Sequence, residues 1–410
     1  MSTAHHRVSA VPPDAELFIC AGELSGDLLA GSLAKEIRVL RPNWHLCGIG
    51  GPHLAAAGAN LMYDSHGWGA IGVTQAVRLI PRLSFALAAV KRHLAHKQPD
   101  LTVLVDFGTF NVRVARFAKR HGLKVCYYVP PGSWRRERAN PELARITDLV
   151  ITPFPWSAAS LRSMGANAHW VGHPLLDLVK PSRSRHQLLQ DAGLPPDATI
   201  IALVPGSRPS ELAGLATRMA QAALLIQKRL DGCAFLVAAS PTANVAILSK
   251  HLTQAGWQSI GGNGCRFAAG GRPAAILKGQ TYNVMAASNL LLCCSGTATL
   301  EAAILGKPMV IAYRIAGAAA NIEYALGKRG LPRWVGLPNL LAGEEVYPEL
   351  IQNDATPERL ADAAMDVIRS GNTGREGALA RIRECLGEPG ASARAAQLIC
   401  SPDLGRGRLA

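Results

Sequence analysis

Leu17-Phe18-Ile19-Cys20-Ala21 is an uncharged apolar run that leads directly into Gly22-Glu23-Leu24-Ser25-Gly26-Asp27, and then into the longer stretch Leu28–Leu40. A short apolar run, a glycine-bearing turn and a long amphipathic segment read as strand, turn and helix. The same order recurs outward from it. Short aliphatic runs at His45–Ile49, Leu101–Val105, Lys124–Val129 and Leu149–Thr152 alternate with helical-looking stretches such as Leu83–His96 and Val112–His121. This is the pattern of a parallel sheet covered by helices.

The polar, proline-bearing stretch Val179-Lys180-Pro181-Ser182-Arg183-Ser184 reads as a linker. Alternation restarts after it with Ile200–Val204, a helix over Glu211–Leu230, Ala234–Ala239, a helix near Val245–Ala255, Leu290–Cys294 and Met309–Ala312. Beyond about Pro357 only helix is expected. The fold class predicted is α/β, with two Rossmann-like domains whose parallel sheets face a cleft and a C-terminal helical segment. The expected bounds are a disordered tail over 1–16, a first domain over 17–180, a second over 181–356, and helices over 357–410 that pack back on the first domain. Ligands of such sheets bind beyond the carboxyl ends of the strands, so the loops after strands are the places to search.

Composition narrows the class. Of 410 residues 49% are hydrophobic and only 5% aromatic, with 40 glycines, which suits α/β layers better than an aromatic-rich sandwich. No secretory h-region and no run of about 18 uncharged apolar residues is present, so a cytoplasmic or membrane-peripheral protein is expected. Nine cysteines without a CxxC pair fit small core residues rather than bridges. The formal charge is +14, and Glu16 to Lys180 carries 19 Lys and Arg against 11 Asp and Glu. Such a basic half suits phosphate, nucleic acid or an anionic lipid surface, and equally an ordinary solvated face.

Five loops carry candidate chemistry. In Gly22-Glu23-Leu24-Ser25-Gly26-Asp27, Gly22 and Gly26 permit tight turns, and Ser25 or Asp27 can cap the following helix. The loop is neither a dinucleotide fingerprint nor a P-loop. Asp106, at the carboxyl end of its strand in Val105-Asp106-Phe107-Gly108-Thr109-Phe110-Asn111, is placed either to act as a general base or to cap the turn. Pro205-Gly206-Ser207-Arg208-Pro209 joins the Gly206 and Ser207 donors to the charged fork of Arg208, a phosphate-binding set. Ser295-Gly296-Thr297-Ala298 opens a helix with small residues suited to a diphosphate, and Glu301 lies a turn further on, where a carboxylate can accept both hydroxyls of a ribose. His173 in Val171-Gly172-His173-Pro174-Leu175 reads as structural by default. No Asp-x-Asp pair and no His/Cys metal-ligand spacing occurs, so a bound diphosphate would be neutralised by Arg208 and helix N-termini. Finally, Val73–Lys97 has no acidic residue. It sets Val77, Leu79, Ile80, Leu83 and Phe85 beside Arg78, Arg82, Lys91 and Arg92, either a surface that dips into anionic lipid or a core helix with a basic outer face.

With these motifs in one order, residues 17–400 resemble the lipid-A-disaccharide synthase family. The resemblance is carried by AGELSGD from Ala21, GIGGP from Gly48, VDFGTFN from Val105, VGHPL from Val171, PGSRPSE from Pro205, SGTATLEAAILGKPMVIAYR from Ser295 and LPNLLAG from Leu337. PGSR and SGTATLE are shared with other two-domain GT-B transferases, whereas the full series is specific. The resemblance implies an inverting glycosyltransferase that joins UDP-2,3-diacylglucosamine to 2,3-diacylglucosamine 1-phosphate and releases UDP, with no cofactor, no metal and no nucleic-acid partner. It implies Asp106 as the base, Arg208 and Ser295–Ala298 at the diphosphate, Glu301 at the ribose and Asn339 as a further nucleotide-side position, and the loop with Gly22, Ser25, Gly26 and Asp27 is expected on the acceptor side. Glu23 and His173 are the alternative proton acceptors. The expected location is the anionic inner face of the cytoplasmic membrane, as a peripheral protein, and a homodimer is left open.

Two departures fall on the first half. Thr109 stands where the family usually has a second aspartate, and Pro130-Pro131-Gly132-Ser133-Trp134-Arg135-Arg136 replaces an aromatic-rich stretch. Rival readings are a related transferase with another lipid acceptor, a UDP-sugar 2-epimerase, and a non-catalytic membrane-binding scaffold.

Overall fold

The alternation in Leu17-Phe18-Ile19-Cys20-Ala21 sends side chains to the two faces of one sheet, and each face has its own core. Leu17, Ile19 and Ala21 pack with Leu33, Ile37, Ala395 and Ile399. Phe18 and Cys20 pack with Val90, Leu94 and Val114. A strand buried on both faces must be apolar throughout, which explains the uninterrupted run. The computed structural model describes residues 14–65, 68, 73–136, 140–261, 264–314, 333–371 and 373–401, and for 73–79 the backbone alone.

The first sheet is built from β1 (Glu16–Ala21), β2 (His45–Gly50), β3 (Asn60–Asp64), β4 (Leu101–Val105), β5 (Val125–Tyr128), β6 (Leu149–Thr152) and β7 (Ala168–Trp170). Its order is β3-β2-β1-β4-β5-β6-β7, with every neighbouring pair parallel. The second contains β8 (Thr199–Val204), β9 (Cys233–Ala239), β10 (Gln258–Ile260), β11 (Arg266–Ala269), β12 (Arg272–Lys278), β13 (Leu290–Cys294), β14 (Met309–Tyr313) and β15 (Glu349–Ile351). Its order is β10-β11-β12-β9-β8-β13-β14-β15, parallel except where β11 pairs with β10 and β12.

The chain divides into two compact units, Met1–Leu178 with Cys385–Ala410, and Val179–Glu384. The first boundary falls just before the proline-bearing stretch read as a linker. The C-terminal helices split between the units instead of returning as one block. Helix Pro357–Ser370 packs on helix Pro209–Ile226, with Leu360, Ala361, Ala364 and Val367 in the second unit's core. Helix Ala391–Ile399 packs on helix Glu23–Leu40 through Ala391, Ala395, Ala396 and Ile399. Of the expected disordered tail, residues 1–13 lie outside the described residues, while Ala15 is buried and Glu16 begins β1.

Among the described residues no helix is long and apolar enough to cross a membrane. Helix Val73–Lys97 covers one face of the first sheet through Ala86, Val90 and Leu94, spaced four apart. Leu83 leans on the same core, so it is not part of an outward face. Ile80 is 55% exposed, Phe85 is 77% exposed and Arg82 is exposed, with the Arg82 guanidinium lying over Trp68. The side chains of Val77 and Arg78 lie outside the described residues.

Candidate active site

Each sheet reverses its strand order at one point, and that is where loops after neighbouring strands diverge and leave room for a ligand. In the first sheet the reversal lies between β1 and β4, which pair Ala21 with Val105 at their carboxyl ends. The loops from Gly22 and from Asp106 therefore start side by side. In the second it lies between β8 and β13, which pair Val204 with Cys293. This sets the Pro205–Arg208 and Ser295–Ala298 loops side by side in turn.

In the first unit these loops are strained and tightly braced. Glu23, Asp106 and Phe107 all have left-handed backbone, with φ of 59°, 48° and 54°. For non-glycine residues this conformation costs about 1–2 kcal/mol each. The brace is Asn111, fully buried, whose amide donates to the carbonyls of Cys20, Val105 and Asp106 at 3.0–3.1 Å. The Tyr127 hydroxyl donates to the Asp106 carbonyl as well, at 2.9 Å. Phe107 folds over Gly22 so closely that a Cβ there would lie 2.1 Å from its ring. Helix Gly108–Arg120 has Phe107 at its N-cap and no side-chain cap, so Asp106 does not serve as that cap. Asp106 is half-buried, and Gly26 sits beside it, a Cβ there being 3.9 Å from Asp106 Cβ.

Asp27 has a different role from the one expected. Helix Glu23–Leu40 takes Gly22 as its N-cap and receives no cap from Ser25 or Asp27. Asp27, 1% exposed, instead accepts the backbone N–H groups of Gly51, His53 and Leu54 at 2.6–3.0 Å. It thereby pins the GIGGP turn, and with it helix Pro52–Ala56, to the first loop. A buried carboxylate with three amide donors is a structural tie. His173 is also a tie: Nδ1 accepts the Leu175 N–H at 3.2 Å, and burial lowers its pKa to about 3. The imidazole is neutral at physiological pH and a poor proton acceptor there.

In the second unit Arg208 is held by a residue the sequence reading passed over. Glu211, 4% exposed, bonds the Arg208 guanidinium at 2.8 Å and accepts the N–H groups of Ser207 and Arg208 at 2.9 and 3.1 Å. Gly206, at φ 107°, must be glycine, because a Cβ there would lie 2.4 Å from the Glu211 carboxylate. The visible signal was Glu211 three residues after Arg208, the spacing of a capping box. Above Gly296 a Cβ would meet nothing within 4 Å, so the small-residue turn faces open space. Glu301 is 9% exposed and bonded by Tyr282, and burial raises its pKa to about 7.

The chain matches the family model described as Lipid-A-disaccharide synthetase over residues 17–398. A lipid-A-disaccharide synthase of Geobacter metallireducens is 36% identical over 394 residues, covering 94% of this chain and 97% of that one. The enzyme of the same name from Myxococcus xanthus is 34% identical over 393 residues, with 95% and 97% covered. This chain belongs to the lipid-A-disaccharide synthase family. It is therefore a glycosyltransferase of lipid A biosynthesis.

Solved structures agree on the fold. A UDP-GlcNAc 2-epimerase of Neisseria meningitidis, bound to UDP-GlcNAc, is 13% identical with a TM-score of 0.61, covering 94% of this chain and 99% of that one. The calicheamicin glycosyltransferase is 15% identical with a TM-score of 0.55, covering 95% and 98%. At such identities the likeness shows the GT-B architecture alone.

The synthase motif LPNLLAG is a scaffold in this structure. Asn339 is fully buried; its amide donates to the Tyr347 carbonyl and Glu349, and its oxygen accepts the N–H groups of Val346 and Tyr347. With both ends of the amide satisfied inside the fold, Asn339 is not free to contact a nucleotide. Glu349 in turn accepts the N–H groups of Val335 and Gly336, and Ser295 Oγ donates to the Val335 carbonyl at 2.8 Å. The motif thus fixes the segment against which the Ser295 turn rests. Among the described residues a cleft of about 470 Å³ in the second unit is lined by Arg218, Arg314 and Thr356 among others, and by none of these loop residues.

Proposed function

We propose that this synthase transfers 2,3-diacylglucosamine from UDP to the 6-hydroxyl of 2,3-diacylglucosamine 1-phosphate, inverting the anomeric centre to give a β-1,6 disaccharide and UDP. The observation that carries the reading is the coincidence of chemistry with topology. Each sheet's reversal point bears one half of what the reaction needs: an aspartate, Asp106, on strained and braced backbone in the first, and an arginine beside a small-residue helix start at Arg208 and Ser295–Ala298 in the second.

In the proposed reaction the Asp106 carboxylate takes the proton of the acceptor hydroxyl as its oxygen attacks the anomeric carbon, opposite the departing diphosphate. The glycosidic C–O bond to UDP breaks with its electron pair going to the phosphate. Arg208 and the Gly296–Ala298 N–H groups stabilise that charge. Glu301, ionised, accepts the ribose hydroxyls. The first unit takes the acceptor and the second the UDP-sugar. Ile80, Phe85 and Arg82, outward on an acid-free helix, support peripheral docking on the anionic inner face of the cytoplasmic membrane.

Supplying both substrates and reading the product by mass and by anomeric proton coupling tests the proposal. Asp106→Asn should fold, bind the UDP-sugar like the parent, and lose on the order of 10²–10⁴ in turnover. Near-parental turnover would remove Asp106 as the base. Conversion of the UDP-sugar without acceptor would replace transfer by epimerisation.

A further inference from the structure

The sequence shows no metal-ligand spacing, yet folding gathers three ligating side chains from three elements of the first unit. Glu16 opens β1, and Cys47 lies on the same face of β2, diagonal to it, where Glu16 pairs with His45 and Phe18 with Cys47. His93 descends from helix Val73–Lys97, with its ring 5.3 Å from that of Phe18. Cys47 Sγ lies 3.7 Å from Glu16 Oε1 and 3.7 Å from His93 Nε2, and the last pair are 3.8 Å apart. The three atoms form a nearly equilateral triangle. In tetrahedral zinc, with Zn–S about 2.3 Å and Zn–N and Zn–O about 2.0–2.2 Å, ligand atoms lie about 3.3–3.6 Å apart. A contraction of a few tenths of an ångström closes the triangle on an ion.

We propose that Glu16, Cys47 and His93 form a zinc site with water as fourth ligand, separate from the transfer chemistry. The donor set suits a borderline-soft ion, and thiolate plus carboxylate cancel its charge, which makes a half-buried site tolerable. The Cys47 thiol donates to Glu16 and also faces His93 Nε2, so all three ligating atoms already turn toward one point. On binding, the S–H bond is replaced by S–Zn and one proton leaves to solvent. Asp100 accepts the Glu16 N–H at 2.8 Å and steadies the start of β1. The site lies at the amino end of β1, five residues or about 17 Å from the reversal point at its carboxyl end. Its role is to lock helix Val73–Lys97 to the sheet.

The test uses the full chain, stripped with EDTA under reducing conditions and titrated with cobalt, then zinc. A thiolate-to-cobalt charge-transfer band saturating at one equivalent is expected in the parent, with loss of the band in Cys47→Ser and its weakening in His93→Gln and Glu16→Gln. Zinc should raise the melting temperature of the parent and not of Cys47→Ser, while the UDP release rate stays equal in loaded and stripped protein. His5, His6 and the other eight cysteines are unchanged in all variants, so binding elsewhere shows as signal common to all. Absence of the band in the parent overturns the site, as does an undiminished band in Cys47→Ser. Should that variant not fold, undiminished bands in both His93→Gln and Glu16→Gln do the same. Transfer that fails without zinc overturns its separation from the chemistry.

Discussion

UDP affinity should depend on pH through Glu301. Burial raises this carboxyl from 4.5 to about 7, with the Tyr282 hydroxyl pulling weakly the other way. Only the ionised form accepts two ribose hydroxyls, so binding must remove the proton. With a pKa of about 7 the ionised fraction falls from about nine-tenths at pH 8 to about one-tenth at pH 6. The UDP dissociation constant should rise about tenfold over that interval, roughly 1.4 kcal/mol. The phosphate of UDP titrates near pH 6 as well, so the comparison is with Glu301→Gln, which keeps the phosphate effect and lacks the carboxyl. Calorimetry of UDP binding at pH 6, 7 and 8 on both proteins isolates the difference. Stability runs the other way. A folded pKa above the unfolded one favours the native state below about pH 4.5, and this contribution of about 3 kcal/mol is lost as pH rises through 7. Unliganded Glu301→Gln should therefore melt higher than the parent at pH 8 while binding UDP more weakly. Identical pH dependence of UDP affinity in parent and variant would refute the assignment of Glu301 to the ribose.

Arg208→Ala should weaken UDP about ten- to hundredfold, the 1.5–3 kcal/mol of a charged hydrogen bond, and an unchanged calorimetric affinity would move Arg208 off the diphosphate. Asp27→Ala, which strands two buried N–H groups and a part-buried one, should destabilise the first unit by about 3–5 kcal/mol in chemical denaturation, and a loss below about 1 kcal/mol would contradict the tie seen between the two loops. Ile80→Ser with Phe85→Ser should release protein from anionic vesicles by about a hundredfold in partition while leaving UDP affinity intact, given about 1.5 kcal/mol for each side chain lifted out. Sedimentation with vesicles like the parent's would place the docking surface elsewhere.

What the chain's order alone determined is the alternation and its loops. β4, β6 and β13 were legible to the residue because each is fully buried, and burial on both faces leaves a run without charge that is apolar but for Thr102 and Thr152. β3 and β10 were missed for the converse reason. They are edge strands, mostly exposed, whose Asn60–Asp64 and Gln258–Ile260 carry no such run. Four of the loops picked as candidate sites follow β1, β4, β8 and β13, the strands flanking the two reversal points. Their position after strands was legible because small, glycine-bearing turns are a local property.

What each side chain does in those loops was decided only by tertiary structure. Asp27 and Asn339 look like ligand contacts in a motif, yet Asp27 is spent on backbone groups 24 to 27 residues away and Asn339 on a loop that closes back over it. Ile80 and Phe85 point outward while Leu83 packs inward, because the register of the helix on its sheet chooses the face. Glu16, Cys47 and His93 stand 31 and 46 residues apart along the chain, and no spacing rule connects them. Local pattern reports which groups a turn carries. Hydrogen-bond satisfaction and convergence are long-range, and exist only once the strands have taken their order in the sheet.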